Sequence, residues 1–276
     1  MTTASLSTAS PRELIVFEGA RQITASDTVI VGTGLPLLAG LLAQRAHAPA
    51  ARLVIESGVV FPRVKPTPLS VVDPRIMHHA SRLGSLVEAL GGLVQRGHVD
   101  TGFLGGAQVD QWGNINSTWI NRDGGRVRLP GSGGANDIAS LCEKVVILTD
   151  HEKRRFPATC DYVTSPGFLS GPGGRERAGL PPLRLKVITD LCVMEADGTT
   201  GRLCVTALMP GSTVDDVVAR TGFAPDIATD LAVVARPAPA DLALLRDVLD
   251  PEARYFPERR PSLTHHEKPH EEQGAS

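Results

Sequence analysis

The chain has 276 residues, 42% hydrophobic and 21% charged, long enough to bury a sizeable core as one large α/β domain or two small ones. A formal net charge of −2 and a 4% aromatic share exclude the basic field and the stacking platforms that gather nucleic acid. The four cysteines, at 142, 160, 192 and 204, show no C-x-x-C spacing, which removes the main support for a zinc site or redox pair and leaves free thiols in a reducing compartment.

Residues 1–10 are rich in Ser, Thr and Ala and read as a disordered tail, with no basic stretch and apolar core of the kind that marks a secretory signal. Helical spacing follows over 12–23, then a β-rich run over 28–31 that ends in Gly32-Thr33-Gly34. The pattern returns to helix over 35–47, with Pro36 in the first turn, where its missing N–H costs nothing. A strand over 52–55 leads directly into Glu56-Ser57-Gly58. Helix is expected over 84–96, strands over 101–105 and 144–149, and a short helix over 136–142. Residues 156–182 are rich in Gly and Pro, a long loop of the kind that is either functional or disordered. Strands over 185–189 and 203–208 come next. A helix then opens near Thr213, with Ser212 or Thr213 as its cap and Asp215 and Asp216 at its positive end. The last helix covers 240–249, and 257–276 is a polar tail whose His265, His266 and His270 are weak metal candidates.

Strand and helix alternate in this way in α/β folds with an open, largely parallel sheet and helices on both faces. One domain over 11–256 is expected between the two tails. No apolar run approaches the ~20 residues of a membrane span, so a cytoplasmic protein is expected. Ligands of such sheets sit beyond the carboxyl ends of the strands. Glu56, Gly105-Gly106 and Asp150 all fall at expected strand ends, on one rim.

Glu56 closes an apolar strand, and apolar neighbours strip water from a carboxylate and sharpen it as a nucleophile. An acid paired with a basic side chain at a strand end explains the same residue equally well. Gly32 and Gly34 after a strand, with Glu56 some way on, suggest a dinucleotide fingerprint, but position 37, where the third glycine belongs, is Leu37. Those two glycines bring backbone close to a ligand or simply form a tight turn. Gly105 and Gly106 admit a ligand to the backbone, or lead into a hairpin whose corner is Trp112-Gly113-Asn114. Residues 130–137, PGSGGAND, precede a helix and offer free N–H groups to a phosphate or an oxyanion; an empty helix-start loop is the plainer alternative. No Lys-Ser/Thr follows, so a P-loop is excluded. The charged run from Asp150 to Arg155 holds His151, but no Ser or Cys sits in a nucleophile elbow, and a structural or interface role is favoured.

Gly-Thr-Gly-Leu-Pro-Leu from position 32, Glu-Ser-Gly from 56, Gly-Gly-Ala-Gln-Val-Asp from 105, Gly-Asn-Ile-Asn-Ser-Thr from 113 and Gly-Ser-Gly-Gly-Ala-Asn from 131 occur in order. His-Glu-Lys-Arg-Arg-Phe from 151, Thr-Ser-Pro-Gly from 164 and Gly-Pro-Gly-Gly-Arg-Glu-Arg from 171 continue the set. Over residues 13–257 this ordered series resembles the β-type subunits of the class I coenzyme A transferase family, of the glutaconate type. The resemblance implies that Glu56 attacks an acyl-CoA thioester and becomes a glutamyl-CoA thioester through a mixed anhydride. It implies Gly134 and Ala135 as oxyanion donors with Gly133 adjacent. Gly105, Gly106, Ser57 and Gly58 would then belong to the acyl or CoA pocket. It further implies no bound cofactor or metal, a coenzyme A thioester as substrate, and an α-type subunit supplied as a separate chain in an α₂β₂ or larger assembly.

Two other readings share the scaffold: an acyl-CoA hydrolase or decarboxylase, and a ligand-binding or structural subunit without turnover. Arg63, Lys65 and Arg75, just beyond Glu56, are candidate partners for a substrate carboxylate or plain surface charges.

Overall fold

β-branched runs build the middle of the molecule. In the computed structural model, which describes residues 8–64, 66–70 and 73–260, the chain opens with α1 (Pro11–Arg21), β1 (Thr28–Val31), α2 (Leu35–Ala46) and β2 (Arg52–Ile55). Two short strands follow, β3 (Val59–Val60) and β4 (Arg82–Leu83), then a π-helical stretch at Glu88–Val94. β5 (Thr101–Leu104) leads into two hairpins, β6 (Gln108–Val109) with β7 (Ile115–Asn116), and β8 (Trp119–Arg122) with β9 (Gly125–Arg128). α3 (Ala135–Leu141), β10 (Lys144–Leu148), α4 (Gly174–Arg177), β11 (Arg184–Ile188), β12 (Cys192–Ala196) and β13 (Leu203–Leu208) come next. The chain ends with α5 (Val214–Ala219), β14 (Asp226–Val233) and α6 (Pro239–Ala243), which continues as π-helix over Leu244–Leu249.

Ten of these strands form one sheet in the order β14-β13-β12-β11-β10-β5-β1-β2-β3-β4. Its five central strands, β11 to β2, are parallel, and β12, β3 and β4 run against their neighbours. Register places Ile55 beside Val31, Val31 beside Phe103 and Phe103 beside Val146. Covered on both faces, these strands are continuously apolar rather than alternating. α1 and α2 close one face over Val29, Val31 and Phe103. α3 and the π-helical stretch close the other over Ile30, Val54 and Ile147, with Leu90, Val94 and Ile138. Each fully buried aliphatic side chain contributes about 1.5–3 kcal/mol.

α1 begins with a capping box between Ser10 and Glu13. Glu13 is fully buried and meets Arg246 at 2.7 Å, which ties the first helix to the last. α5 has its own capping box between Thr213 and Asp216.

In the expected long loop over 156–182, Asn114 accepts from the Gly167 and Leu169 N–H groups, and Arg175 gathers several carbonyls. Arg175 is 2% exposed and donates to five carbonyls, those of Ala139, Ser140, Pro166, Gly167 and Pro181. Over the expected helix at 84–96 the structure has a π-helical stretch preceded by an exposed segment at 81–88. Gly84, Gly91 and Gly92 weaken helix there. The short edge strands and β14 carry no alternation that marks them, and most residues of β14 are exposed.

Among the described residues no helix is long and apolar enough to cross a membrane. Pro257–Arg259 form a 3-10 turn, with Arg259 donating to the carbonyl of Arg246 at 3.3 Å. Residues 1–7 and 261–276, including the three tail histidines, lie outside the described residues.

Candidate active site

Glu56 is set at the sheet rim by a turn that tolerates only glycine at its third position. β2 ends at Ile55, and the Gly58 N–H donates to the Ile55 carbonyl at 2.9 Å. Gly58 has φ +99°, and a Cβ there would lie 2.5 Å from the Gly84 carbonyl carbon. The chain therefore reverses within three residues and leaves Glu56 half-buried.

The glycine loop before α3 arrives from the other side. Ser117 anchors it twice, accepting from the Gly131 N–H at 2.8 Å on its carbonyl and donating from Oγ to the Gly131 carbonyl at 2.9 Å. Ser132 closes the turn, its carbonyl accepting from the Ala135 N–H at 3.0 Å and its Oγ from the Asn136 N–H at 3.1 Å. Asn136 Nδ2 donates to the Thr164 carbonyl at 2.8 Å. The result is one contact between loop and strand end: the Gly134 N–H donates to Glu56 Oε2 at 3.1 Å. A Cβ on Gly134 would come within 2.9 Å of that oxygen and 3.0 Å of Leu90 Cδ1. Only a bare backbone comes this close.

The structure thus separates the two expected oxyanion donors. Gly134 faces the carboxylate, whereas the Ala135 N–H is already taken by Ser132. Gly133 lies on the Glu56 side as well, where a Cβ would sit 3.7 Å from Oε2, and its N–H has no acceptor among the described residues. Ser57 Oγ is buried without a hydrogen-bond partner among the described residues.

Gly105 and Gly106 stand at the end of β5, with β1 between them and β2, so roughly 10 Å of sheet separates them from Glu56 at ~4.8 Å per strand. Gly105 is exposed at the rim, and a Cβ there would meet only the Leu148 carbonyl, at 3.7 Å. Gly106 has a packing reason to be glycine: a Cβ would lie 2.4 Å from Ile115 Cγ2. Its carbonyl accepts from Arg155 at 3.3 Å. Gly32, at the end of β1 between those two strands, faces open space. Asp150, expected on the same rim, pairs with Arg12 of α1 at 3.0 Å.

His151 is a structural residue. It is 1% exposed, its ring nitrogens contact Thr189 Oγ1 at 3.1 Å and Thr221 Oγ1 at 3.0 Å, and it stacks on Phe156 at 4.3 Å. Burial, and secondarily the Arg220 charge, push its pKa down to about 4, so it is neutral at pH 7. Arg75 is held by Asp73, with Nε 3.0 Å from both carboxylate oxygens, and Lys65 lies outside the described residues. Leu90, which walls Gly134, and Ser117, which anchors the loop, went unmarked as site residues in the sequence. Their roles come from contacts across the fold.

The coenzyme A transferase family model matches residues 18–220. The β-type subunit of glutaconate CoA-transferase from Acidaminococcus fermentans is 40% identical over 241 residues, covering 84% of this chain and 89% of that protein. The β-type subunit of 3-oxoadipate CoA-transferase from Pseudomonas knackmussii is 35% identical over 243 residues, covering 87% and 94%. The crystal structure of the A. fermentans glutaconate CoA-transferase superposes with a TM-score of 0.85 at 37% identity, over 92% of this chain and 99% of that one. That of the decarboxylase AibA/AibB gives 0.76 at 26% identity, over 89% and 97%.

Proposed function

The chain belongs to the coenzyme A transferase family, and on that premise we propose that Glu56 is the carboxylate that carries CoA and that Gly134 serves its carbonyl. The activity is that of a β-type CoA-transferase subunit, moving CoA from an acyl-CoA to a free carboxylic acid in a ping-pong sequence.

Glu56 attacks the thioester carbonyl, the C–S bond breaks, and CoA leaves as thiolate beside a mixed anhydride. The thiolate attacks the Glu56 carbonyl carbon, the anhydride C–O bond breaks, and the donor acid departs as its carboxylate. The glutamyl-CoA thioester that remains is attacked by the acceptor carboxylate, and the steps run in reverse. A carboxylate attacks without a base to deprotonate it, so the burial of His151 is compatible with this chemistry.

The observation that carries the reading is the Gly134 N–H on Glu56 Oε2. That oxygen bears the negative charge whenever sulfur or an acceptor carboxylate adds to the glutamyl carbon. A fixed backbone donor already at 3.1 Å stabilises the resulting oxyanion without reorganising. Such a donor is typically worth ~10²–10³ in rate. The Gly133 N–H, without an acceptor among the described residues, is the second donor we assign; Ala135 contributes by closing the turn that aims both.

The relatives act, by name, on glutaconate and 3-oxoadipate, and we infer a dicarboxylic acyl group here too. We infer an α-type subunit as a separate chain, in an α₂β₂ or larger cytoplasmic assembly, with Ser57, Gly58, Gly105 and Gly106 around the acyl or CoA pocket. The likeness to single subunits of named CoA-transferases and to a two-component decarboxylase supports the partner.

The test is CoA exchange between glutaryl-CoA and labelled acetate, using the complex purified from native cells through a tag on this chain. Exchange that requires acetate and disappears in Glu56→Ala supports the assignment. Acetate-independent loss of thioester would favour an acyl-CoA hydrolase on the same scaffold.

A further inference from the structure

The loop that carries Gly133 and Gly134 is held at both ends, and the two holds meet at one residue, Thr164. At the entry, the Leu129 N–H donates to the Thr118 carbonyl at 2.9 Å, and Gly131 exchanges two hydrogen bonds with Ser117. At the exit, Asn136 Nδ2 donates to the Thr164 carbonyl at 2.8 Å. Thr164 serves the entry as well. Its Oγ1 accepts from the Ser117 N–H at 2.9 Å and shares a hydrogen bond of 2.7 Å with Thr118 Oγ1.

Thr164 is itself firmly placed. It is 5% exposed, and its N–H donates to the Ile115 carbonyl at 2.9 Å. Ser165 bridges back to Ile115 through both of its backbone groups, which fastens this corner of the long 156–182 loop to β7. Asn114, just before β7, fixes the residues that follow, its Oδ1 accepting from the Gly167 N–H at 2.9 Å and the Leu169 N–H at 3.0 Å. Asn116 Oδ1 accepts from the Thr118 N–H at 3.0 Å. The support under the glycine loop is therefore a hydrogen-bonded unit, not a loose connection.

Between the two holds lie residues 132–135, and it is here that the Gly134 N–H meets Glu56 Oε2 at 3.1 Å. A glycine has no side chain to fix its direction, so the aim of that N–H follows from where Gly131 and Asn136 are placed. We propose that Thr164 is a positioning residue for CoA transfer: its hydroxyl fixes the entry of the loop, its carbonyl fixes the exit, and together they aim the Gly134 N–H at the glutamyl oxygen. The proposal rests on the reading of Glu56 as the carboxylate that carries CoA. A donor stabilises the oxyanion without reorganising only if it is held in place beforehand. A displacement of ~1 Å in such a site can cost ~10² in rate. The Thr-Ser-Pro-Gly run from position 164, which the chemistry at Glu56 leaves without a role, thereby gains one.

The test follows CoA loading onto Glu56 in a single turnover at saturating acyl-CoA, using the complex purified from native cells. Thr164→Val keeps the shape and the carbonyl but leaves the Ser117 N–H and the Thr118 hydroxyl without their partner. It should slow loading by about tenfold and leave the half-saturating acyl-CoA concentration within about twofold of wild type. Thr164→Ser keeps the hydroxyl and should load within about threefold of wild type. Because the threonine acts through the glycine, adding Thr164→Val to Gly134→Ala should slow the latter by no more than about twofold. Thr213→Ala uncaps α5 and lowers the melting temperature, yet should load at the wild-type rate. Additive losses, a serine variant as slow as the valine one, full rate in Thr164→Val, or an equal loss in Thr213→Ala would each overturn the proposal. If wild type loads no CoA onto Glu56, that reading fails, and amide hydrogen exchange of the 130–136 peptide decides this one separately. Faster exchange in Thr164→Val but not in Thr164→Ser supports it; exchange equal to wild type overturns it.

Discussion

The backbone N–H of Gly134 meets Glu56 Oε2 at 3.1 Å across 78 positions of sequence. The strand that delivers the carboxylate and the loop that delivers the donor share no local signal. They are brought together because β2 lies beside β1 in the sheet while α3, packed on one face, holds the glycine loop above that rim.

Shortening Glu56 by one methylene withdraws the carboxylate from Gly134. Glu56→Asp is expected to lower CoA exchange by ~10² or more, while the half-buried site keeps stability within about 1 kcal/mol of wild type. Peptide mass analysis after incubation with acyl-CoA should find CoA on Glu56. An adduct on any other residue would sink the assignment.

Gly134→Ala retains the N–H but adds a Cβ 2.9 Å from Glu56 Oε2 and 3.0 Å from Leu90 Cδ1. Glycine there has φ −80°, which alanine accepts, so the effect is steric rather than conformational. The expected loss is ~10² in kcat. Adding Leu90→Ala should recover part of it by letting the loop move, at ~2–4 kcal/mol of stability for the cavity. Full activity in Gly134→Ala would show that this contact does not serve the reaction.

His151 makes stability fall on the acid side. Its folded pKa of about 4 lies below the ordinary histidine value of 6.5. Between those values the unfolded chain binds a proton that the native chain refuses. Its contribution is therefore complete above pH 6.5, is lost as pH falls toward 4, and levels off below. The loss is on the order of 3 kcal/mol. His151→Gln should flatten the difference between urea midpoints at pH 7.5 and pH 4.5. An unchanged difference would mean that other groups set the slope.

Arg175 serves five carbonyls from a position 2% exposed, and burial lowers its pKa. Arg175→Met leaves those acceptors dry and unpaired. Unfolding free energy should drop by ~3–5 kcal/mol, read from denaturant midpoints, with new protease cuts within 156–182. Arg175→Lys, with three donors and no planar fork, should recover less than half of that.

Local chemistry was legible in the sequence. The strands expected at 28–31, 52–55 and 203–208 have those bounds in the structure: the first two are apolar runs buried on both faces, and the third alternates buried Leu203 and Val205 with half-buried Cys204 and Thr206. A helix start at Ser212 or Thr213, which the structure resolves to a capping box between Thr213 and Asp216, and the strand-end position of Glu56 were also readable, since each depends on neighbours in the chain. β3, β4 and β14 were not, because two-residue strands and an exposed edge owe their pairing to a neighbour rather than to pattern.

By itself the sequence determined the parallel core, the family resemblance and the carboxylate at a strand end. Only the tertiary structure decided which glycine N–H reaches that carboxylate, that the Ala135 N–H is consumed by Ser132, and that Gly106 is glycine because Ile115 packs there. It alone tied both ends of the glycine loop to Thr164. The physical reason is range: strand propensity and capping act over a few residues, whereas a donor's aim, a missing Cβ and a shared anchor are properties of groups that meet only after the chain has folded.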